Sequence, residues 1–292
     1  MIYCADLHSH SHRSDGQYSP AELIRRAHEA GIENFALSDH DSVRGIAEAQ
    51  AAADAFGIEL VPAVEISAGD EPEKDRYDLH ILGLFVDPEI PALVHFLDEQ
   101  ARKRIHQQHQ QIERFRELGF RIDIESVFSK VVGVPGKPHL VAALLALNPD
   151  RGLAERQIYR EYLGYGGLAH VPREDEPTSD ECIEVIHVAG GLALLAHPLY
   201  YRKVTDLDGM VRGLVEAGLD GIEVDCPYEL NDQFKDVPGG RPAIVARAQA
   251  WVDQYGLVAS GGSDFHGGDI GGPLASAGVT REGYEALRAR CS

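Results

Sequence analysis

Short apolar runs recur along the chain, and most are followed by a stretch with apolar residues at helical spacing. "YCADLH", "NFALSDH", "IELVPAVEIS" and "DLHILGLF" mark four candidate strands early in the chain, and "GLALLAHP", "LDGIEVDC" and "GLVASGGSD" mark three more towards its end. Between the first two, "SPAELIRRAHEAG" carries a Ser cap, Pro in the first turn, apolar Leu23, Ile24 and Ala27, and a closing Gly, which predicts a helix. Similar punctuation frames "DSVRGIAEAQAAADAFG" and "TSDECIEVIHVAGG". This alternation predicts β-α units. From about Pro91 to Leu163 the strand runs vanish, and the long polar "DEQARKRIHQQHQQIERFRELG" is helical in pattern. We therefore expect an α/β fold whose barrel or sheet is formed by residues 1–98 and 167–292, interrupted by a helical insertion at 99–166. There is no internal repeat beyond the alternation, and no low-complexity tract.

Composition narrows the class. With 292 residues, 44% of them hydrophobic, the chain can bury a sizeable core. The 27 basic and 47 acidic residues leave a net charge of -20, which argues against nonspecific binding to duplex DNA or anionic membranes. No apolar run reaches the roughly eighteen residues needed to span a bilayer. "MIYCADLHSH" lacks the basic start and apolar core of a signal peptide. Cys4, Cys182, Cys226 and Cys291 are scattered, without the close pairs of a zinc knuckle or redox motif. The expectation is a cytoplasmic protein with no membrane segment and no obligate protein partner.

The chemistry is concentrated at strand ends. In "DLHSHSHRSDG", strand alternation would point His8 and His10 the same way. A solvated polar edge, a chance cluster and a pair of metal ligands all fit that segment alone. The rest of the chain favours the last. Asp39 and His40 end the second candidate strand, Glu65 the third and His197 a later one, Asp264 and His266 follow the last, and His80 lies within "DLHILGLF". In β/α barrels the C-terminal strand ends face one rim, where catalytic groups gather. His28, His95, His106, His109 and His187 fall in helical segments where solvated roles suffice, and His170 reads as structural. Imidazole and carboxylate donors without thiolate suit manganese, iron or zinc better than magnesium or calcium.

"DLHSHSHRSDG", "ALSDHD", "PAVEIS", "DLHILGLF", "LLAHP" and "SGGSDFHG", in that order, resemble the motifs of the PHP (polymerase and histidinol phosphatase) superfamily of metal-dependent phosphoesterases. The insertion, with "EQARKRIHQQ" and "GVPGKPHL", further resembles the branch that removes the 3′-phosphate of nucleoside 3′,5′-bisphosphates and trims RNA ends. The resemblance implies a distorted (β/α)7 barrel with up to three divalent ions, manganese first, zinc or iron as substitutes. It places His8, His10, Glu65 and Asp264 on one ion. Glu65 would bridge to a second held by His80 and His197, and Asp15, His40 and His266 would hold a third. Some relatives carry histidine at the position of Asp15, so this third site is richer in oxygen. Asp6 and Asp39 are candidates to receive the other N–H of ligating imidazoles, and Asp39 is alternatively a helix cap. A metal-bound hydroxide would attack phosphorus. No protein acid for the leaving group is identifiable; His12 is a spare imidazole that could serve, as could a metal-bound water.

Selectivity would come from cations outside the metal shell. Arg102, Lys103 and Arg104 form a basic island, not all of which can face one ligand, and a solvated helix face explains them too. Lys137 and His139 lie at a helix start, where free N–H groups favour phosphate. After His197, a ring of Tyr200 or Tyr201 could stack on a base while Arg202 meets a phosphate; surface packing explains the tyrosines as well. The expected activity is hydrolysis of nucleoside 3′,5′-bisphosphates to nucleoside 5′-phosphate and inorganic phosphate, with 5′-3′ trimming of short RNA. The alternatives are a histidinol-phosphate phosphatase and a metal-binding PHP module without turnover.

Overall fold

The computed structural model describes residues 3–129, 131–164, 166–268 and 271–291. Seven strands lie side by side in chain order: β1 (Ala5–Asp6), β2 (Asn34–Leu37), β3 (Glu59–Ser67), β4 (His80–Leu84), β5 (Leu192–Leu195), β6 (Gly221–Asp225) and β7 (Val258–Gly261). The sheet curls into a nearly closed, distorted (β/α)7 barrel. Its seam is made by Leu7 N–H to the Gly261 carbonyl, 3.2 Å, and His10 N–H to the Phe265 carbonyl, 2.8 Å.

β4 is antiparallel to both its neighbours, while the other pairings are parallel. This reversal explains why His80 begins its apolar run when the other candidate ligands end theirs. Because β4 runs backwards, its first residue pairs with Ser67, the last of β3, and so reaches the same rim.

Ten helices complete the described fold: α1 (Pro20–Glu29), α2 (Ile46–Phe56), α3 (Pro91–Glu117), α4 (Ile124–Phe128), α5 (Lys137–Leu147), α6 (Glu155–Ile158), α7 (Ser179–Val188), α8 (Leu207–Glu216), α9 (Gly240–Tyr255) and α10 (Arg281–Arg290). The predicted punctuation is realised in space. Ser19 accepts the Glu22 N–H at the start of α1, and Thr178 with Glu181 forms a capping box on α7. None of these helices is long and apolar enough to cross a membrane.

Strand periodicity sorts the core into two layers. Ala63, Leu82, Leu84, Leu192 and Leu194 form an inner row that Tyr284 and Leu287 of α10 join. Val64, Ile66, Ile81, Leu195 and Ile222 face outward onto Ile183, Ile186, Val211 and Leu214 of α7 and α8. Glu65 shares the parity of Ala63, so it continues the inner row into the rim. Glu223 stands likewise between Gly221 and Asp225 on β6.

The described residues of 91–163 form helices and turns without a strand, and residue 99, the expected boundary, falls inside the 27-residue α3. Leu93 and Leu97 pack on the barrel layer, whereas Ile112 and Phe115 belong to a separate core with Leu140, Leu144, Ile158 and Leu163. One continuous helix thus ties the two cores together.

The seam leaves no space at Gly262, where a Cβ would meet the His8 backbone N and Cβ at 2.4 Å. Overpacking of this kind costs about 1–3 kcal/mol. Gly262→Ala should lose that much in urea unfolding; an unchanged midpoint would contradict the close approach of the two loops.

Candidate metal centre

The loop after β1 is shaped by hydroxyls and one carboxylate. Ser9 turns away from its two histidine neighbours, its Oγ donating to the Ala36 carbonyl at 2.6 Å. His8 and His10 therefore project together into the barrel mouth. Asp39 accepts the Ser11 N–H and Oγ at 2.7 Å and the Ser14 Oγ at 2.6 Å, folding the loop back so that Asp15 returns to the same mouth. Asp6 accepts the Ser263 N–H at 2.8 Å and the Ala275 N–H at 3.0 Å, anchoring the loop that carries Asp264. Burial pushes both carboxyls up to about 6.

Asp6 and Asp39 thus hold ligand-bearing loops instead of receiving imidazole N–H groups, and Asp39 caps no helix, since α2 starts from Gly45. The expected imidazole partner is a different residue. Glu223 lies 3.1 Å from His8 Nδ1 and accepts the His197 N–H at 2.7 Å. Its trace in the sequence is an acid at inward parity between the apolar Ile222 and Val224 of "GIEVD".

Glu65 is the centre of the arrangement and is fully buried. Its Oε1 is 2.8 Å from His80 Nδ1 and 3.0 Å from His197 Nε2. Its Oε2 is 2.9 Å from His40 Nδ1 and 3.3 Å from Nε2 of both His8 and His10. Asp264 Oδ1 faces the same two rings, 3.2 Å from His10 and 3.5 Å from His8. Asp15 lies 3.4 Å from His266 Nε2 and 3.9 Å from His40 Nε2. His197 and Asp264 adopt left-handed backbone, φ 29° and 52°, a strained state held by the surrounding packing.

Among the described residues three donor groups result: His8, His10, Glu65 and Asp264; His10, Asp15, His40 and His266; and His40, Glu65 and His80. The first is the set expected from the sequence. The second adds His10 to the expected Asp15, His40 and His266. In the third, His40 closes on Glu65 and His80, with His197 beside the same carboxylate. His12 belongs to none of them.

The donor set fits divalent cations. His8 Nε2, both ring nitrogens of His10, Asp15 Oδ1, His40 Nδ1, Glu65 Oε2 and His197 Nδ1 are buried without a hydrogen-bond partner. Such atoms cost about 1–3 kcal/mol each when left unpaired, and cations would take up the carboxylate oxygens and one nitrogen of each imidazole.

The basic candidates separate on inspection. Arg104 reaches the rim, its guanidinium bound to Asp41 and, at 3.0 Å, to the Ser67 hydroxyl. Arg173, which sequence reasoning missed, lies 3.3 Å from the same Asp41 carboxylate and 3.2 Å from the Ser67 carbonyl. Arg102 folds back onto the Asp98 carbonyl of its own helix, and Lys103 donates to the Asp175 carbonyl. Lys137 is exposed at the first position of α5 and helps to hold the Asp78 carboxyl below its ordinary value, after burial, which acts the other way. His139 Nδ1 accepts the Gly136 N–H at 3.1 Å. Arg202 is held by Gln233 and Asn231, away from the donor groups. Tyr201 is buried, so its ring offers no open stacking face, while Tyr200 stacks on His197 at 5.5 Å.

Charge is distributed to favour cations. Burial disfavours charge on His8, but Glu223, Glu65 and Asp264 outweigh it and raise His8 well above its ordinary value. Against the same penalty, Asp15 and Asp264 lift His266 to about 10. Both rings are thus shifted towards their protonated forms when no cation competes for those carboxylates. Metal ligation needs neutral imidazole, so metal uptake should release protons, and affinity should fall as pH falls. Calorimetry of Mn2+ binding in buffers of different ionisation enthalpy measures this; uptake without proton release would contradict it.

The PHP domain family matches residues 6–147. A 5′-3′ exoribonuclease from Haemophilus influenzae is 35% identical over 89% of this chain and 89% of its own length. A phosphoribosyl 1,2-cyclic phosphate 1,2-diphosphodiesterase from Eggerthella lenta is 33% identical over 90% of this chain and 94% of its own. A 3′,5′-nucleoside bisphosphate phosphatase from Chromobacterium violaceum is 32% identical, with 91% and 88% covered. Among solved structures, one described as an amidohydrolase from Chromobacterium violaceum, with bound sulfate, superposes with a TM-score of 0.82 at 28% identity over 98% of this chain and 96% of that one. By its sequence relatives, its barrel and the order of its motifs, this chain belongs to the PHP family.

Proposed function

We propose that the chain is a manganese-dependent phosphoesterase that removes the 3′-phosphate of nucleoside 3′,5′-bisphosphates, yielding nucleoside 5′-phosphate and inorganic phosphate, with 5′-3′ trimming of short RNA as the same cleavage of a P–O3′ bond on a phosphate that carries the rest of the RNA. The observation that carries this reading is the convergence of three donor groups that share residues around Glu65, at a rim which the helical insertion walls in. His8, His10, Glu65 and Asp264 would hold one ion. Glu65, His80 and His197, with His40 close by, would hold a second, and Asp15, His40 and His266 a third. Divalent cations there would supply a nucleophilic water at neutral pH and neutralise charge on the phosphoryl oxygens. They would also reverse the sign of a mouth lined by Asp15, Glu65 and Asp264 in an acidic protein.

The protein's own groups then orient and select. Glu223 fixes the ring of His8 and the backbone of His197. The insertion docks directly on the metal-bearing loop: Val134 N–H donates to the Arg13 carbonyl at 2.8 Å, and a Cβ on Gly136 would meet that of Asp15 at 2.8 Å. That contact brings the start of α5, with Lys137 and His139, beside Asp15. A second phosphate on the substrate, bound by Lys137 and reached by Arg104 from α3, gives this wall a purpose. With Nδ1 of His139 accepting from Gly136, its proton sits on Nε2, which makes that nitrogen a neutral donor.

The Eggerthella lenta relative supports a second reading, hydrolysis of a phosphoribosyl cyclic phosphate, since it matches this chain as fully as the bisphosphate phosphatase does. Both readings share the metal centre and differ in what the insertion recognises. The test is phosphate release with Mn2+ from a nucleoside 3′,5′-bisphosphate, its mononucleotides, histidinol phosphate and the cyclic phosphate. The bisphosphate should be preferred, and Asp264→Asn should abolish turnover. A charged hydrogen bond contributes about 1.5–3 kcal/mol. Lys137→Met should therefore lower kcat/KM for the bisphosphate about tenfold or more, with little effect on mononucleotides. Preference for histidinol phosphate or the cyclic phosphate would overturn the proposed substrate.

A further inference from the structure

Directly opposed residues of antiparallel strands exchange reciprocal hydrogen bonds at alternate pairs. The register of β4 and β5 pairs Ile81 with Leu195 and Leu82 with Leu194, which sets His80 opposite Ala196. One bond of that pair is present, from the Ala196 N–H to the His80 carbonyl at 3.1 Å. The reciprocal bond passes through a side chain. The His80 N–H donates to the Tyr201 hydroxyl at 3.0 Å, and that hydroxyl donates onward to the Ala196 carbonyl at 2.8 Å. A phenol oxygen is thus a link in the ladder at the point where the two strands deliver His80 and His197.

We propose that Tyr201 is a positioning residue for the metal centre, its hydroxyl spacing the ends of β4 and β5 so that both imidazoles converge on one oxygen of Glu65. Four observations support this. His80 Nδ1 and His197 Nε2 lie 2.8 and 3.0 Å from Glu65 Oε1, with their rings crossed at 70° and 5.2 Å apart. The chain leaves β5 at once: His197 has φ 29°, and the turn from its carbonyl to the Tyr200 N–H carries Tyr201 back beneath the rim. Tyr201 is 8% exposed, with its ring 5.7 Å from that of His197. The same hydroxyl lies 3.5 Å from the His80 carbonyl, so it meets both strand ends.

Removing the hydroxyl has two possible consequences. The strand ends close into a direct bond and shift both ligands, or two buried backbone groups stay unpaired and the rim loosens. Either outcome displaces His80 relative to His197. The inference rests on the reading that these two histidines hold an ion.

Mn2+ titration of the full-length protein tests it. Groups that orient metal ligands typically change affinity about 10- to 100-fold. Tyr201→Phe should weaken one Mn2+ equivalent by that factor and leave the remaining equivalents unchanged. Tyr228→Phe is the matched control, because Tyr228 is fully buried and its hydroxyl has no hydrogen-bond partner; it should bind as the wild type does. A merely structural role would lower the melting temperature without changing Mn2+ affinity, and that result would overturn the proposal. His80→Ala separates the two ideas. If it loses an equivalent while Tyr201→Phe titrates normally, the positioning role alone falls. If neither variant loses affinity, the ligand assignment falls as well. Should Tyr201→Phe fail to fold, amide exchange in the wild-type protein decides. A His80 N–H as protected as that of Leu82 supports the bridge, and exchange at loop rates overturns it.

Discussion

A carboxylate buried among five imidazoles sets the terms for the rest of this molecule. Glu65 is met by His8 and His10 from the loop after β1, His40 from the loop after β2, His80 from the start of β4 and His197 from the end of β5. Burying a charge without compensation is costly, so each of these segments must reach the rim at a fixed height. The barrel seam, the loop folded around Asp39 and the left-handed backbone at His197 and Asp264 all follow from that requirement. Even the reversal of β4 does, because it brings a first residue to a rim otherwise built from last residues.

The division between barrel and insertion separates two kinds of chemistry. The candidate metal centre is assembled from barrel residues alone, and in the proposed function it sets the reaction class, attack on an ester of phosphoric acid. The helical wall is tied to the barrel by the single long α3 and docked at Arg13 through Val134; in the proposed function it sets which ester can enter. Relatives with related barrels carry names for different phosphoesters. A fold of this kind hosts several substrates by changing what surrounds a constant centre.

Much of the centre is legible in the sequence, for a physical reason. Strand ends are marked by where an apolar run stops, and His8, His10, His40, Glu65, His197, Asp264 and His266 all sit at such stops. The helices around "SPAELIRRAHEAG" and "TSDECIEVIHVAGG" are legible because capping is local. What escapes is long-range. Glu223 looks like a flaw in an apolar strand until β6 is placed beside His8. Arg173 and Asp41 are far apart in the chain and meet only across the rim. Arg202 is basic and follows the candidate ligand His197, yet Asn231 and Gln233 draw it aside. The roles expected of Asp6 and Asp39 shift for the same cause: a nearby backbone N–H or hydroxyl, invisible in one dimension, is a closer partner than an imidazole.

The central claim is that the donors around Glu65 form one shared metal centre. Anomalous diffraction from crystals of the Mn2+-loaded protein, recorded on both sides of the manganese absorption edge, tests it most directly. The account predicts up to three peaks inside the barrel mouth, one between His8, His10 and Asp264, and Glu65 in contact with more than one. Peaks confined to surface acids, or a mouth without manganese at full loading, would contradict it.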